Sequence, residues 1–179
     1  MPRTVHVPAD RFTGWLERFE ANNPDGPQRI VSVEDPLPLP LAVLLIRRGG
    51  YAVAAIAGDG RVAGHKVGTR YVQSRTAAGG WSQQRFARRR ANQADALVGA
   101  VQGHLERVLR EVGDPAGLLT GGDRRLTAEV LTSPRLAALR TLPAREIEDI
   151  PDPRRAVLDE AIDRARAYAV AIDDGPRSA

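Results

Sequence analysis

Apolar residues recur at helical spacing in three stretches of the chain, and each stretch predicts an amphipathic helix. The first covers residues 9–22, with apolar side chains at positions 12, 15, 16 and 19. The second and longest begins near Gln84, carries an unbroken apolar stripe over residues 94–112, and is expected to end at Gly113. The third begins at Asp152-Pro153 and extends its stripe through Ile172.

Strands are predicted before and between these helices. Leu41 to Arg47 is almost wholly apolar, which is typical of a strand buried on both faces. Asp59-Gly60 signals a hairpin between the predicted strands 51–57 and 61–70. The other predicted strands are 29–33, 51–57, 61–70, 117–120 and 145–150, with a short helix at 124–132 capped by Asp123, while 134–142 is either a helical turn or a strand.

This order predicts the α/β class, with a mixed β-sheet flanked by helices in a single layered domain. The domain is expected to span residues 1–175, with a frayed tail at 176–179.

Composition excludes several kinds of site. The chain has no cysteine, and its three histidines are far apart in sequence, so we predict no metal site and no cofactor. The most apolar run, residues 37–46, is ten residues long and holds two prolines, which is too short and too broken to cross a membrane. No secretory signal follows the N-terminus, so we expect a cytoplasmic protein.

Positive charge is concentrated in one window. The whole chain has 26 Lys and Arg against 22 Asp and Glu, a formal net charge of +4. Residues 61–94 hold eight of these cations and no acid, so the rest of the chain carries −4. Within the window lies a loop of small residues at 76–80, followed by Gln83 and Gln84. Such a surface is expected to bind a polyanion, and RNA is the first candidate.

Four arginines, at 85, 88, 89 and 90, lie in the first turns predicted for the long helix. Cations at a helix N-terminus oppose the helix dipole, at a cost of about 0.3–1 kcal/mol each. A bound phosphate would relieve this conflict. The alternative interpretation is a solvated helix face, against which the absence of nearby acids argues.

The segment Gly79-Gly80-Trp81-Ser82-Gln83, followed by Arg85 and by residues 89–93, resembles the catalytic loop of the Vms-like release factors. These proteins are peptidyl-tRNA hydrolases of ribosome quality control. Their domain is similar to the central domain of eukaryotic and archaeal class-one release factors, which has an RNase-H-like fold. The resemblance covers about residues 31–172. Because this sequence lacks the ankyrin repeats and zinc finger of the larger relatives, it is similar to compact bacterial members.

The resemblance implies a peptidyl-tRNA hydrolase that frees nascent chains from stalled large ribosomal subunits. The family's Gly-x-x-Gln pattern falls on Gly80 and Gln83, so Gln83 is expected to position water at the ester while Gly79 and Gly80 shape the tip. The implied partners are tRNA and large-subunit ribosomal RNA, bound by a monomer. The expected RNA-binding residues are Arg70, Arg75, Trp81, Arg85, Arg88, Arg89 and Arg90.

Several alternatives stay open at this point. A shift of one residue would make Gln84 the active amide, and Trp81 either stacks on a base or anchors the loop on the protein. Two functions are alternatives to the peptidyl-tRNA hydrolase. One is a non-catalytic RNA- or ribosome-binding module, and the other is a tRNA 3′-end endonuclease. His65 is a minor candidate for a general base, and Gly121-Gly122-Asp123 is either a phosphate-binding helix start or an ordinary tight turn.

Overall fold

The computed structural model describes residues 2–24, 26–69 and 82–175, with the backbone alone described for residues 82–91. The chain divides into two compact units. The terminal unit comprises Met1–Leu37 and Glu160–Ala179, and the central unit comprises Pro38–Asp159. The elements are β1 (Arg3–Pro8), α1 (Phe12–Asn22), β2 (Arg29–Glu34), β3 (Leu41–Arg47), β4 (Gly50–Ile56), β5 (Val62–Thr69), α2 (Ser82–Leu109), β6 (Gly117–Gly122), α3 (Arg124–Val130), β7 (Ala144–Ile147), α4 (Arg155–Ala165) and β8 (Ala167–Asp173), with 3-10 helices at Ala9–Arg11 and Pro134–Thr141.

The terminal unit contains a three-stranded antiparallel sheet in the order β1-β8-β2. The aromatic face of α1 packs on it, as the helical spacing of those residues predicted. Phe12 stacks on Tyr168 of β8 with ring centroids 3.9 Å apart. Val7, Val170 and Ile172 are buried beneath this layer.

The central unit contains a five-stranded mixed sheet in the order β5-β4-β3-β6-β7. The meander β3-β4-β5 is antiparallel, while β6 and β7 run parallel to β3. β5 therefore points the same way as β3, β6 and β7. The carboxyl ends of these four strands lie at one edge of the sheet, which we call the carboxyl edge.

The core of the central unit lies between this sheet and the helices α2 and α3. The apolar stripe of α2, from Leu97 to Val108, is buried against one face of β3 and β4 together with residues of α3 and the second 3-10 helix. The side chain of Gln102 ties α2 to α3, because its Nε2 donates to the carbonyl oxygen of Val130 at 3.1 Å. All residues of β3 before Arg47 are fully buried, so the prediction of a strand covered on both faces is confirmed.

The α/β class and the mixed sheet flanked by helices are confirmed. Helix 9–22, the β3-β4-β5 meander and the long helix were predicted within a few residues of their observed bounds. Gly113 has φ +74°, and its N–H donates to the carbonyl oxygen of Leu109 at 3.0 Å, so it does end α2. Residues 134–142, left open above, form the 3-10 helix. The predicted frayed tail, 176–179, lies outside the described residues.

The prediction of one helix from Asp152 through Ile172 is wrong. α4 ends at Ala165, and residues 167–173 form β8, the central strand of the terminal unit's sheet. Tyr168, Val170 and Ile172 alternate toward the α1 side, a period of two that the alanines between them obscured. Both neighbours of β8 are distant in sequence, and one of them, β1, was not predicted at all. Pairing with β1 and β2 therefore overrides the helical propensity of this alanine-rich stretch.

Candidate nucleic-acid interface

The strand that precedes the predicted functional loop, β5, ends at the carboxyl edge of the central sheet. β5 ends at Thr69, which pairs with Gly50 at the start of β4. α2 runs back antiparallel to β5, because Val108 approaches Gly64 near the start of β5 whereas His104 lies against Tyr51 opposite its end. The N-terminal end of α2 is therefore directed toward the carboxyl edge. Thr69 at the end of β5 and the N-terminal end of α2, which flank residues 70–81 in the sequence, are thus both on this side.

The predicted catalytic and RNA-binding residues fall in and beside this connection. Gly79, Gly80, Trp81, Arg70 and Arg75 lie outside the described residues. The backbone of residues 83–90 lies in the first turns of α2, so the second residue of the helix is the glutamine of the Gly-x-x-Gln pattern. The side chains of the predicted residues in this range, Gln83, Gln84, Arg85, Arg88, Arg89 and Arg90, are outside the described part of the structure.

An aromatic contact packs the last residues of β5 against α2. Tyr51 is opposite Gly68 in the β4–β5 ladder, and its ring stacks on the imidazole of His104 with centroids 5.6 Å apart. The ring lies directly over Gly68, where a Cβ atom would be 2.5 Å from two of its carbons. Only glycine leaves room for the ring at this position. The sequence analysis missed this cluster, although an isolated glycine inside a strand is a known signal of close approach.

Two cations lie beside His104. Lys66 pairs with Val53, whose side chain belongs to the core beneath α2, so Lys66 is on the α2 side of β5. Arg107 follows His104 by one turn of α2. Both side chains are exposed, and neither forms an ion pair with a carboxylate among the residues that the structure describes. Partial burial, and then the charges of Arg107 and Lys66, lower the pKa of His104 below its ordinary value of 6.5.

The other side of the carboxyl edge, at β6 and β7, is electrostatically different because Arg124 and Arg47 are paired with carboxylates there. Arg124 donates to Glu146 at 2.7 Å and to Glu148 at 2.8 Å. The bond to Glu146 is the largest cause of a raised pKa of the Arg124 guanidinium. Arg47 donates to the carbonyl oxygen of Ile150. A polar cleft of about 420 Å³ opens here, lined by residues 47–49, Gly122, Asp123, Asp149, Ile150 and Asp152.

The segment Gly121-Gly122-Asp123 forms a helix start. Gly122 ends β6 with φ +101°, and a Cβ there would be 2.2 Å from the carbonyl oxygen of Ile46, so glycine is required. The Asp123 carboxylate accepts hydrogen bonds from the backbone N–H groups of Arg125 and Leu126 at 3.0 and 3.1 Å. The predicted N-cap is thus confirmed. This carboxylate already satisfies the helix start, which favours the tight-turn interpretation over phosphate binding.

His65 lies on the face of β5 opposite to Lys66. Its Nε2 is 2.8 Å from Nη1 of Arg155 at the start of α4, so this nitrogen accepts a hydrogen bond from the guanidinium. The structure therefore separates His65 from the cluster around His104. Within the described ranges, no group of His, Asp or Glu side chains is arranged to hold a metal ion. In the same ranges, no helix is both long and apolar enough to cross a membrane.

Comparison with protein families identifies a family to which most of the chain is similar. The family model described as acVLRF1, the Actinobacteria/Chloroflexi VLRF1 release factor, matches residues 39–171. The match includes the mixed sheet, the connection between β5 and α2, and α2 itself. A search of the curated proteins found no significant match.

Proposed function

Since the chain belongs to the VLRF1 release factors of Actinobacteria and Chloroflexi, we propose that this ribosome-associated release factor is a peptidyl-tRNA hydrolase that frees nascent chains from stalled large subunits. One observation carries the proposal. The Gly80-to-Gln83 pattern lies inside the family match, after β5 and across the start of α2, and β5 ends and α2 begins on the carboxyl-edge side of one sheet. The segment that would enter an RNA cavity is thus joined at both ends to packed elements of the central unit.

The reaction is hydrolysis of an ester. The oxygen of water attacks the carbonyl carbon that joins the peptide to the terminal ribose of the tRNA, the bond to the ribose oxygen breaks, and the ribose hydroxyl leaves with a proton. Gln83 would orient the attacking water through its amide, which donates and accepts hydrogen bonds without being a strong base. Gly79 and Gly80 would allow the backbone to approach the ester closely.

RNA recognition is assigned to the cations around this segment and to Trp81. The proposed phosphate contacts are Arg70, Arg75, Arg85, Arg88, Arg89 and Arg90. Lys66 and Arg107 support this assignment, because both are exposed and neither forms an ion pair with a carboxylate among the described residues. The protein would act as a monomer in the cytoplasm, with tRNA and large-subunit ribosomal RNA as its partners.

The test is single-turnover release of peptide from purified peptidyl-tRNA bound to large subunits. We expect Gln83→Ala to lower the release rate by about a hundred-fold or more, the effect of losing one preorganised donor. Its neighbour Gln84→Ala is the matched control and should stay within a few-fold of the native chain. Both variants should bind large subunits normally and unfold at the native midpoint.

The other outcomes identify the alternatives. Binding of large subunits without release by the native chain would indicate a non-catalytic module. A shortened tRNA 3′ terminus in the product would indicate an endonuclease. Loss of release in Gln84→Ala but not in Gln83→Ala would move the active amide by one residue.

A further inference from the structure

Lys66, His104 and Arg107 form a cluster on the described body of the central unit, which we call the basic patch. Lys66 is three residues before the end of β5, a distance of about 10 Å along the strand. His104 and Arg107 are on successive turns of α2 that lie beside it. We propose that the basic patch is an RNA-binding site that holds the nucleic-acid backbone next to the β5–α2 connection. The proposal rests on the proposed function for its partner but adds a site outside the Gly-x-x-Gln segment.

The two cations have the properties of phosphate ligands. Several arginines elsewhere on the central unit are paired with neighbouring carboxylates, as in Arg124–Glu146, Arg125–Glu129 and Arg155–Asp159. Among the described residues, Lys66 and Arg107 have no such carboxylate. After partial burial, the charges of Arg107 and Lys66 are what disfavour a proton on the His104 imidazole, so both cations act on this ring. A phosphate would neutralise these cations, and it would also release counterions on binding.

His104 gives the patch an aromatic component. Tyr51 supports one face of the imidazole, and the histidine is half-buried, so part of the ring remains accessible. The ring is held flat by the Tyr51 stack, whose planes differ by 15°. Proteins that bind single-stranded RNA combine such rings with cations that follow the backbone. A neutral imidazole would therefore cover a base while Lys66 and Arg107 hold the adjacent phosphates.

The experiment measures binding of the full chain to deacylated tRNA and to purified large subunits at several salt concentrations. Each phosphate contact contributes about 0.7 to 0.9 to the magnitude of the slope when the logarithm of the binding constant is plotted against the logarithm of the salt concentration. Lys66→Ala and Arg107→Ala should each lower the slope by about this amount. His104→Ala should weaken binding about ten-fold at an unchanged slope, because the ring is neutral. His104→Phe retains a ring on Tyr51 and should bind like the native chain.

The matched control is Arg140→Ala. Arg140 is also exposed and has no carboxylate partner among the described residues. It lies just before β7, however, and β7 and β5 are the two outermost strands on opposite sides of the sheet. This variant should leave both the slope and the affinity unchanged. All variants should share the native unfolding midpoint to within a few degrees.

Three results would overturn the patch. The first is that Lys66→Ala and Arg107→Ala both keep the salt dependence of the native chain. The second is that Arg140→Ala reduces the salt dependence as much as they do. The third is weaker binding to large subunits without weaker binding to tRNA, which would indicate a ribosomal protein as the partner. None of them depends on peptide release. The binding experiment can therefore contradict the basic patch while peptide release is still observed. Equally, the release experiment can contradict the proposed hydrolase activity while the basic patch still binds RNA.

Discussion

The imidazole of His104 is affected both by packing in the central unit and by two nearby cations. Tyr51 stacks on the ring, while Lys66 approaches from β5 and Arg107 from the next turn of α2. Partial burial and the two cations all favour the neutral ring. Its pKa in the folded chain is consequently below the ordinary value of 6.5 that it regains on unfolding.

This lowered pKa predicts a pH-dependent loss of stability with a definite sign. Above about pH 6.5 the ring is neutral in both states and the folded state has no penalty. As the pH falls from there through the folded-state pKa, the unfolded chain takes up a proton that the folded chain does not, so stability is lost. The contribution is limited to about 1.4 kcal/mol per pH unit, the value for one proton.

The measurement is urea unfolding of the native chain and of His104→Phe at roughly pH 5 to 8, where histidine titrates. The phenylalanine keeps a ring on Tyr51 but cannot titrate. The free energy of unfolding of the native chain, relative to that of the variant, should therefore decrease as the pH is lowered. Parallel curves would show that His104 titrates equally in both states.

The functional segment and its surroundings differ in how far the sequence alone could predict them. Gly80 and Gln83 belong to a short local motif, and the arginines around them stand out by charge alone. The Tyr51–Gly68–His104 cluster joins residues from three elements, so no local window contains it. It depends on the strand register and on the position of α2, which only tertiary packing determines.

At the scale of elements, the contact between β5 and α2 predicts that two glycines of one strand differ in tolerance. Gly64 and Gly68 both lie on the α2 side of β5. A Cβ at Gly68 would be 2.5 Å from carbons of the Tyr51 ring, whereas a Cβ at Gly64 would be 3.4 Å from its nearest neighbours, Glu111 and Val108. We therefore expect Gly68→Ala to lower the free energy of unfolding by about 1–3 kcal/mol through overpacking.

Gly64→Ala is the control, since both substitutions change backbone entropy in the same way. It should alter stability by less than about 0.5 kcal/mol. Because Gly68 is next to Thr69, the last residue of β5, its alanine variant should also slow peptide release more than the Gly64 variant does. Equal stability and equal release in the two variants would contradict the steric role of Gly68.

Element prediction succeeded where the local pattern and the tertiary partners agree. β3 is apolar throughout and is buried throughout, and α2 carries an unbroken stripe that meets the sheet. It failed at β8, where residues 165, 169 and 172 fit a helix and residues 168, 170 and 172 fit a strand equally well. The pairing of β8 with strands more than a hundred residues away decides between them, and short-range periodicity does not contain that information.

Across the whole molecule, charge is divided between the two units. The central unit has 19 Lys and Arg against 12 Asp and Glu, a net charge of +7. The terminal unit has 7 against 10, a net charge of −3. If RNA binding followed the total charge of +4, cations in either unit would matter equally. If it follows the local surface, only those near the β5–α2 connection should contribute.

Two triple variants with the same net charge separate these possibilities. Replacing residues 11, 18 and 29 by alanine removes three exposed arginines of the terminal unit, and replacing residues 88, 89 and 90 removes three from α2. Each set takes the formal net charge from +4 to +1. Only the α2 set should reduce the salt dependence of tRNA binding, by a slope of about 2.

The same α2 set should raise the stability of the chain. Arg85 precedes Arg88 and Arg89 by three and four residues on this helix, and like charges at these spacings destabilise a helix by about 0.2–0.5 kcal/mol per pair. Alanine is also the best helix former, so removing the three arginines should raise the free energy of unfolding in urea by a few tenths of a kcal/mol, on the order of one such pair. Weaker binding combined with greater stability is the expected signature of arginines retained for RNA at the expense of the helix. Equal loss of slope in both triple variants would show instead that the net charge of the molecule governs binding.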